Sequence, residues 1–359
     1  MFHSYLFPIS YAFYTFPIAA AVFTLPFLIV QYRRHGYIHK YRAILLYLLL
    51  LYLLNAVYLI VLPFPSTVHN QPPEHSYFQL IPFHFLADIG KETEFRIDQP
   101  STYLHLLKER AFLQVAFNVA LTIPFGLFLR YYFRAKWTLC LFFSLGLSLF
   151  FEVTQVTGIY GIFDYPYRLF DVDDLMTNTL GGMIGYVAAD WLASLLPRID
   201  RLDETVDLST KRVTYTRRGI AFLIDWAILL PVGAVLAVLH LRFAYLPLVI
   251  VYFIAIPYAT NGLTAGKWVV RIRVKGLGER IRLRELAVRY GLLYVIVGGV
   301  NMAYPIIAVR STSPWVNVPY AVGLFAMDLW FAVHLIRCFF NRKRKLFYEK
   351  RSNTGHVIT

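Results

Sequence analysis

Residues 43–64 read AILLYLLLLYLLNAVYLIVLPF and contain no charged side chain. A transmembrane helix needs about 20 consecutive apolar residues, so this run is long enough to cross a bilayer. The whole chain has a similar character, because 58% of its 359 residues are hydrophobic and only 16% are charged, with a mean hydropathy of +0.54. Soluble domains carry about 25% charged residues. We therefore expect an all-α polytopic integral membrane protein and not a water-soluble globule.

Apolar runs of similar length recur along the sequence and predict about nine transmembrane helices. The first run is kept as a helix because no Lys or Arg precedes it, whereas a cleaved signal peptide begins with a basic segment. The predicted spans are 10–30, 43–64, 111–131, 137–157, 175–196, 219–239, 244–260, 286–308 and 318–340.

The Lys and Arg residues are distributed unevenly between alternate loops. If the N-terminus is outside, 28 of the 35 basic residues fall in inner segments and 7 fall in outer segments. This excess follows the positive-inside rule, so we predict an outer N-terminus and an inner C-terminus. The net charge of +14 then reports membrane topology, and nucleic acid is not expected as a partner.

Two polar segments divide the predicted spans into two membrane domains. Residues 65–110 form a long outer loop that begins with a Pro-rich stretch and ends in a predicted amphipathic helix at 98–110. Residues 197–217 carry charges of both signs and are interpreted as a cytoplasmic linker. We therefore predict a five-span domain at 1–196 and a four-span domain at 218–359.

Ionisable and amide side chains gather near the outer ends of three predicted spans. Such groups are costly at membrane depth and are functional hypotheses by default. Glu152 and Gln155 share one face of the fourth span by their i, i+3 spacing, and Glu152 lies about one turn inside the membrane. The predicted outer polar pocket consists of Asn118, Glu152, Gln155, Arg168, Asp171, Asp174 and Asn178.

Helix capping is an alternative explanation for part of this pocket. An aspartate at a helix N-terminus accepts backbone N–H bonds, and this accounts for Asp171 as well as a functional role does. A buried Glu152 needs a proton, a paired charge or a cation, and Arg168 is its nearest candidate partner in sequence. Carboxylate and amide oxygens also suit Mg²⁺ or Ca²⁺. We expect no cofactor, and a divalent cation bound at this acidic cluster is the alternative.

Three motifs resemble the signatures of the VanZ-like family in order and spacing, namely NVALTIPFG at 118–126, SLFFEVTQ at 148–155 and DVDDLMTNTLGGMIGY at 171–186. LIPF at 80–83 is similar to the family's motif in the outer loop. The resemblance covers about 40–195 and implies a multi-span domain in a bacterial plasma membrane. It also implies a link to glycopeptide (teicoplanin) susceptibility, but no biochemical mechanism. The motif positions that it carries over are Asn118, Glu152, Gln155, Asp171, Asp174 and Asn178.

A second polar cluster is predicted at the inner end of the sixth span. Arg218 and Asp225 share one helix face, so Arg218 can lean toward this costly intramembrane carboxylate, and the basic stretch 267–289 offers other partners. An ion pair that only fixes packing is the alternative to a functional site. Residues 271–284 alternate basic and apolar side chains around a Gly-Leu-Gly turn. This alternation predicts a β-hairpin, whose basic face suits anionic lipid headgroups at the inner leaflet.

The spacing Arg218-x-x-Ala221-x-x-x-Asp225 and the run GLTAGKWVVRIRV at 262–274 resemble the RDD family over about 213–359. The closing segment is similar too, although Glu349 stands where the family has Asp. The resemblance implies transport of ions or small solutes as one activity to consider. The predicted inner site consists of Arg218, Asp225, Lys267, Arg289 and Asp328.

Three functions remain open from the sequence. The favoured hypothesis is a cell-envelope protein that binds a lipid-linked or anionic envelope molecule in the outer polar pocket. A secondary transporter would use Glu152, Asp225 and Asp328 as proton or ion carriers. A metal-assisted enzyme acting on lipid headgroups would use Glu152 as its acid or base, with its other catalytic residues unknown.

Overall fold

The computed structural model describes residues 2–72, 76–92, 109–204, 206–208, 211–241, 244–310, 313–341 and 344–359. These residues form two compact units, which are treated separately below. The first unit comprises Met1–Phe23 and His39–Thr205, and the second comprises Thr24–Ile38 and Val206–Thr359. Most of the predicted helix at 98–110 lies outside the described residues.

The first unit is built from long apolar helices joined by short extended segments. Two parallel strands of two residues each place residues 78–79 next to residues 170–171, directly before the helix that begins at Val172. Its elements are α1 (Phe2–His35), α2 (Lys40–Val61), β1 (Phe78–Gln79), α3 (His84–Glu92), α4 (Arg110–Tyr131), α5 (Trp137–Val156), β2 (Phe170–Asp171) and α6 (Val172–Leu192).

The helices α4 and α6 pack at very short range because glycines line their contact. A Cβ atom at Gly181 would overlap the carbonyl oxygen of Val119, and one at Gly185 would overlap that of Ile123. Gly126 of α4 lies against the backbone of Gly182 in the same way. Small residues allow this approach between helices that have little hydrophobic driving force in lipid. The close contact fixes the relative depth of the polar side chains on the two helices.

The second unit combines apolar helices with a small sheet. The end of α1, from Thr24 onward, packs in this unit. Helix α10 continues through a π-helical stretch, Gly291–Gly298, into α11. The further elements are α7 (Tyr215–Val238), α8 (Tyr245–Ala259), α9 (Ala265–Val269), β3 (Ile272–Lys275), α10 (Leu283–Tyr290), α11 (Gly299–Arg310), α12 (Pro314–Phe340), α13 (Phe347–Ser352) and β4 (Gly355–Ile358).

Seven helices in the described part of the chain are long and apolar enough to cross a membrane. They coincide with seven of the nine predicted spans. The remaining two predicted spans, 175–196 and 244–260, are also helical but are not among these seven helices. Tyr245–Ala259 is shorter than the others, and α6 carries three aspartates, Asp173, Asp174 and Asp190. The mostly helical, multi-pass membrane architecture expected from composition is therefore confirmed.

The predicted β-hairpin at 271–284 is wrong. Strand β3 pairs antiparallel with the C-terminal strand β4, with Ile272 opposite Ile358, and residues 283–290 are helical. The carboxylate of Glu285 accepts the backbone N–H of Arg282 at 2.8 Å and that of Leu277 at 3.0 Å. This capping starts a helix where the alternating pattern indicated a second strand.

Candidate functional site

Glu152 is the most deeply buried acid of the first unit, at 1% exposure in the last turns of α5. Its Oε2 accepts the backbone N–H of Asp171 at 2.9 Å. The described contacts include no ion pair between Glu152 and Arg168, whose Nη2 donates to the carbonyl of Leu62 at 3.2 Å. The observed hydrogen-bond donor to Glu152 is thus a backbone N–H, and the candidate partner Arg168 donates elsewhere. The carboxylate joins the end of α5 to the start of α6.

Two aspartates at the start of α6, Asp171 and Asp173, accept hydrogen bonds from backbone N–H groups. Asp171 is the N-cap, and its Oδ1 accepts the N–H of Asp173 at 2.8 Å. Burial raises the pKa of Asp171, although the hydrogen bond from the backbone N–H of Asp173 opposes this shift. The carboxylate of Asp173 accepts the N–H groups of Phe83 at 2.6 Å and Phe85 at 2.9 Å. Asp171 therefore caps the helix, and Asp173 binds the backbone of residues 83–85, at the end of the LIPF motif.

Polar side chains on α4, α5 and α6 form a connected network. Asn118 Nδ2 donates to Asp174 Oδ1 at 2.5 Å, which joins α4 to α6. Asn178 Nδ2 donates to Ser148 Oγ at 3.1 Å, which joins α6 to α5. Gln155 Nε2 donates to the carbonyl of Ile60 at 3.0 Å, which adds α2. The residues that the sequence placed at one membrane depth are thus brought together by direct contacts.

A cavity of about 1060 Å³ lies beside this network, and we name it the acidic pocket. Its walls come from α1, α2, α4, α5 and the segment that leads into α6. Glu152 and Asn178 are not among its lining residues, so they lie behind its wall. The polar lining residues are Arg110, Gln114, Asn118, Gln155, Arg168, Asp171 and Asp174. The apolar lining residues are Pro8, Leu59, Ile60, Leu62, Pro63, Leu113, Phe117, Ala120, Leu121 and Leu169.

Arg110 is a pocket residue that the sequence did not single out. It is the first residue of α4, and its charge counts only as one of the few basic residues on the predicted outer side. A basic residue on that minority side, at the start of a span, is the signal that could have identified it. The lining of the acidic pocket thus includes two arginines, Arg110 and Arg168, and two aspartates, Asp171 and Asp174.

The pocket contains two carboxylates, and one oxygen of each accepts a hydrogen bond from the protein. Asp171 accepts a backbone N–H, and Asp174 accepts the amide of Asn118. Across the described ranges, no group of three or more His, Cys, Asp or Glu side chains is arranged to hold a metal ion.

Asp225 of the second unit is fully satisfied by neighbours other than Arg218. Its Oδ1 accepts Tyr252 OH at 2.8 Å and the N–H of Gly266 at 2.7 Å. Its Oδ2 accepts Thr264 Oγ1 at 2.8 Å and lies 3.7 Å from Lys267 Nζ. Of the two candidate sources of a partner, Arg218 does not pair with Asp225, and the basic stretch 267–289 supplies Lys267. The three uncharged donors come from Tyr252 of α8, from Thr264 just before α9 and from Gly266 within α9.

Glu349 is the acid that pairs with Arg218. Its Oε1 lies 3.1 Å from Arg218 Nη1 and 3.1 Å from Arg289 Nη2, and all but 2% of its side chain is buried. His356 Nδ1 lies 3.3 Å from the same oxygen. Burial would raise the pKa of Glu349, but His356 and the two guanidinium groups hold the pKa well below its usual range. The Glu in place of the family's Asp thus occupies the centre of a buried charge cluster.

Asp328 is not part of this cluster. Its Oδ1 accepts Asn301 Nδ2 at 3.0 Å, which joins α12 to α11. Four of the five predicted inner-site residues, Arg218, Asp225, Lys267 and Arg289, line one cavity of the second unit, and Asp328 does not. Within that set, Asp225 contacts Lys267, and Glu349 joins Arg218 to Arg289.

Arg217 is a buried residue that the sequence did not single out. It is 2% exposed and donates to the carbonyls of Val270 at 2.6 Å, Gly36 at 2.6 Å and Arg271 at 2.8 Å. Its guanidinium also lies 4.7 Å from the ring centre of Tyr32. These contacts connect the end of α1, the start of α7 and the segment before β3.

Two family models match the chain in tandem. Residues 49–193 match VanZ/LLP1, and residues 212–353 match the RDD family. No curated protein and no solved structure gives a significant match. The first match spans the network around Glu152, and the second spans the Arg218–Glu349–Arg289 cluster. The chain is therefore a multi-pass membrane envelope protein in which a VanZ-like domain is followed by an RDD domain.

Proposed function

We propose that the VanZ-like domain binds a lipid-linked anionic envelope molecule in the acidic pocket. The observation that carries this proposal is the composition of one cavity of about 1060 Å³, which combines two guanidinium groups with an extended apolar wall. Its volume is at the upper end of the usual range for small-molecule sites, about 300–1,000 Å³. It is large enough for a polar headgroup together with the first part of a hydrocarbon chain.

The hydrogen bonds at the polar end of the pocket indicate which of its donors and acceptors are not used within the protein. Asp171 and Asp174 already accept donors from the protein. Among the described residues, Arg168 has one recorded hydrogen bond, to a backbone carbonyl, and Arg110 has none from its side chain. Guanidinium groups bind phosphate oxygens in a bidentate geometry. A phosphate is therefore the acceptor that best matches the free donors, and the carboxylates remain able to accept hydroxyl groups of an attached sugar.

The apolar wall supports a lipid as the carrier of that phosphate. Leu59, Ile60 and Leu62 line it from α2, and Phe117 and Leu121 line it from α4. A prenyl or acyl chain can pack against these side chains, whereas a free sugar phosphate has no apolar part to cover them.

We further propose the topology that gives the pocket access to the envelope. All nine helical segments cross the plasma membrane of a bacterium, with the N-terminus outside and the C-terminus inside. The positive-inside distribution of Lys and Arg supports this arrangement. In it, the acidic pocket opens toward the outer leaflet, and the basic segment around β3 meets anionic headgroups of the inner leaflet.

Cysteine labelling in intact cells tests the topology. Ser66→Cys should react with a membrane-impermeant maleimide in intact cells, and Arg284→Cys should react only after the cells are permeabilised. Both positions are exposed, and the native Cys140 and Cys338 are 0% exposed, so the background is low. Labelling of Arg284→Cys in intact cells would contradict the proposed orientation.

Native mass spectrometry with farnesyl phosphate and farnesol tests the proposed binding. The purified wild-type chain should bind farnesyl phosphate more tightly than farnesol. Arg110→Gln and Arg168→Gln should each weaken phosphate binding about tenfold, which corresponds to about 1.4 kcal/mol for a charged hydrogen bond. Binding of farnesol should not change.

The matched control is Lys136→Gln, which removes an exposed charge from the same unit. Unchanged phosphate binding by the Arg110→Gln Arg168→Gln double variant would overturn the proposal. The resemblance to the VanZ-like family adds a cellular outcome. We propose that ligand binding affects teicoplanin susceptibility, so any protection given by the wild type should be lost in the double variant and retained in Lys136→Gln.

A further inference from the structure

A second cavity, of about 340 Å³, lies in the RDD domain, and we name it the basic cavity. Its lining includes cationic side chains from α7, α9 and α10. It also includes aromatic and aliphatic side chains from α7 and α12. The cations that line it are Arg218, Lys267 and Arg289.

The charges around the basic cavity do not cancel. Two carboxylates, Asp225 and Glu349, neighbour three cations, and each carboxylate is already committed. Asp225 accepts three uncharged donors beside its contact with Lys267. Glu349 is shared between Arg218 and Arg289. One positive charge is left in surplus, so the cavity favours a group with a single negative charge.

Buried donors without partners point to the same kind of group. The Nε–H of Arg289 and the hydroxyl of Tyr290 are buried and have no hydrogen-bond partner in the described part of the chain. Both residues line the basic cavity, and they are only 2% and 3% exposed. Leaving buried donors unpaired costs about 1–3 kcal/mol each. An acceptor within the cavity would recover this cost.

The apolar side of the cavity connects it with the lipid-facing surface of the domain. Phe222 of α7 and Phe339 of α12 line the cavity and are 48% and 53% exposed. Leu335 lies beside them and is 37% exposed. A ligand with a hydrocarbon chain can therefore place its anionic group among the cations and its chain against these side chains.

We infer that the basic cavity binds the phosphate of an anionic membrane lipid. The phosphate accepts from Arg289, Tyr290 and Arg218, and the first part of an acyl chain lies against Phe222, Leu335 and Phe339. The volume of about 340 Å³ fits a headgroup and not a whole lipid, so the rest of the lipid stays in the bilayer. This site is independent of the acidic pocket, because all its residues belong to the RDD domain.

Lipid binding by the purified full-length chain, measured by native mass spectrometry, tests this inference. The probes are phosphatidylglycerol, phosphatidylcholine and inorganic phosphate. The wild type should retain phosphatidylglycerol in preference to phosphatidylcholine, and inorganic phosphate at millimolar concentration should not displace it. Tyr290→Phe and Arg218→Gln should each weaken phosphatidylglycerol binding about fivefold to tenfold.

Tyr290→Phe removes only the unpaired hydroxyl, so its Tm should stay at the wild-type value and a binding loss cannot be attributed to misfolding. Arg284→Gln removes an exposed cation from α10 and should leave phosphatidylglycerol binding unchanged. Equal binding by the wild type, Tyr290→Phe and Arg218→Gln would overturn the inference. Displacement of the lipid by inorganic phosphate would also overturn it, since the site would then recognise the free anion.

Discussion

Replacing Arg217 by alanine is expected to lower the free energy of unfolding by about 4 kcal/mol. Arg217 makes three hydrogen bonds of 2.6–2.8 Å to backbone carbonyls and is 2% exposed. A hydrogen bond that involves a charged group contributes about 1.5–3 kcal/mol, and truncation leaves its partners unsatisfied. The contributions are not additive, so the expected loss is nearer to the lower end of their sum.

The measurement is the thermal unfolding of the purified protein in detergent. A loss of this size corresponds to a decrease in Tm of about 10 °C for a domain of this length. Arg284→Ala is the matched control, because it removes an exposed arginine from the same unit and should change stability by no more than about 0.5 kcal/mol. An Arg217→Ala variant as stable as Arg284→Ala would contradict the structural role assigned to Arg217.

Replacing Glu349 by alanine is expected to cost about 3–5 kcal/mol at neutral pH. Glu349 is the shared carboxylate of two guanidinium groups, and the side chain of Arg289 is only 3% exposed. Removing one partner of a buried ion pair leaves an uncompensated charge, which is strongly destabilising. Glu349→Asp keeps the charge and restores the residue type expected in the family, so it should lose much less stability.

The pH dependence of this difference follows from the pKa of Glu349. The folded-state pKa lies well below the usual value of 4.5, so ionisation of Glu349 stabilises the protein above that pH. As the pH falls below about 4.5 toward the folded-state pKa, this contribution is lost. The stability difference between the wild type and Glu349→Ala should therefore shrink in acid.

Chemical unfolding at neutral and acidic pH measures this difference. Lys350→Ala, which changes an exposed neighbour on α13, should match the wild type at both values. A difference between the wild type and Glu349→Ala that is independent of pH would mean that packing and not charge explains the loss.

The apolar pattern predicted the helices well because the bilayer imposes a length and a composition on each span. Seven predicted spans recur as long apolar helices. The cluster of polar residues around Glu152 was also predictable, because residues that are costly at membrane depth have few places where they can be satisfied. Their shared depth predicted that Asn118 and Asp174 lie near each other, and the structure joins these two side chains.

The errors arise where distant parts of the sequence meet. Arg218 and Asp225 share a helix face, but they are two turns apart, or roughly 10 Å along the axis. Lys267 and Glu349 approach from other elements and replace the local pairing. Strand β3 likewise finds its partner in the C-terminal segment and not across the nearby turn. No local periodicity encodes these choices.

Arg217 illustrates a different limit of prediction from the sequence. It precedes Arg218 directly, and successive helix positions point in directions about 100° apart, so the two arginines face different surroundings. One is a buried donor to backbone carbonyls, and the other lines the basic cavity. A charge pattern alone counts both residues as part of a basic inner segment.

The central proposal, that the acidic pocket holds a lipid-linked phosphate, is tested most directly by photo-crosslinking. The probe is a prenyl phosphate that carries a diazirine on its first isoprene unit. After irradiation with the purified full-length chain, the label should be found by peptide sequencing within residues 59–63 or 113–121, and Arg168→Gln should reduce it about tenfold. Labelling that falls elsewhere in the chain, or that is equally strong in Arg168→Gln, would contradict the proposal.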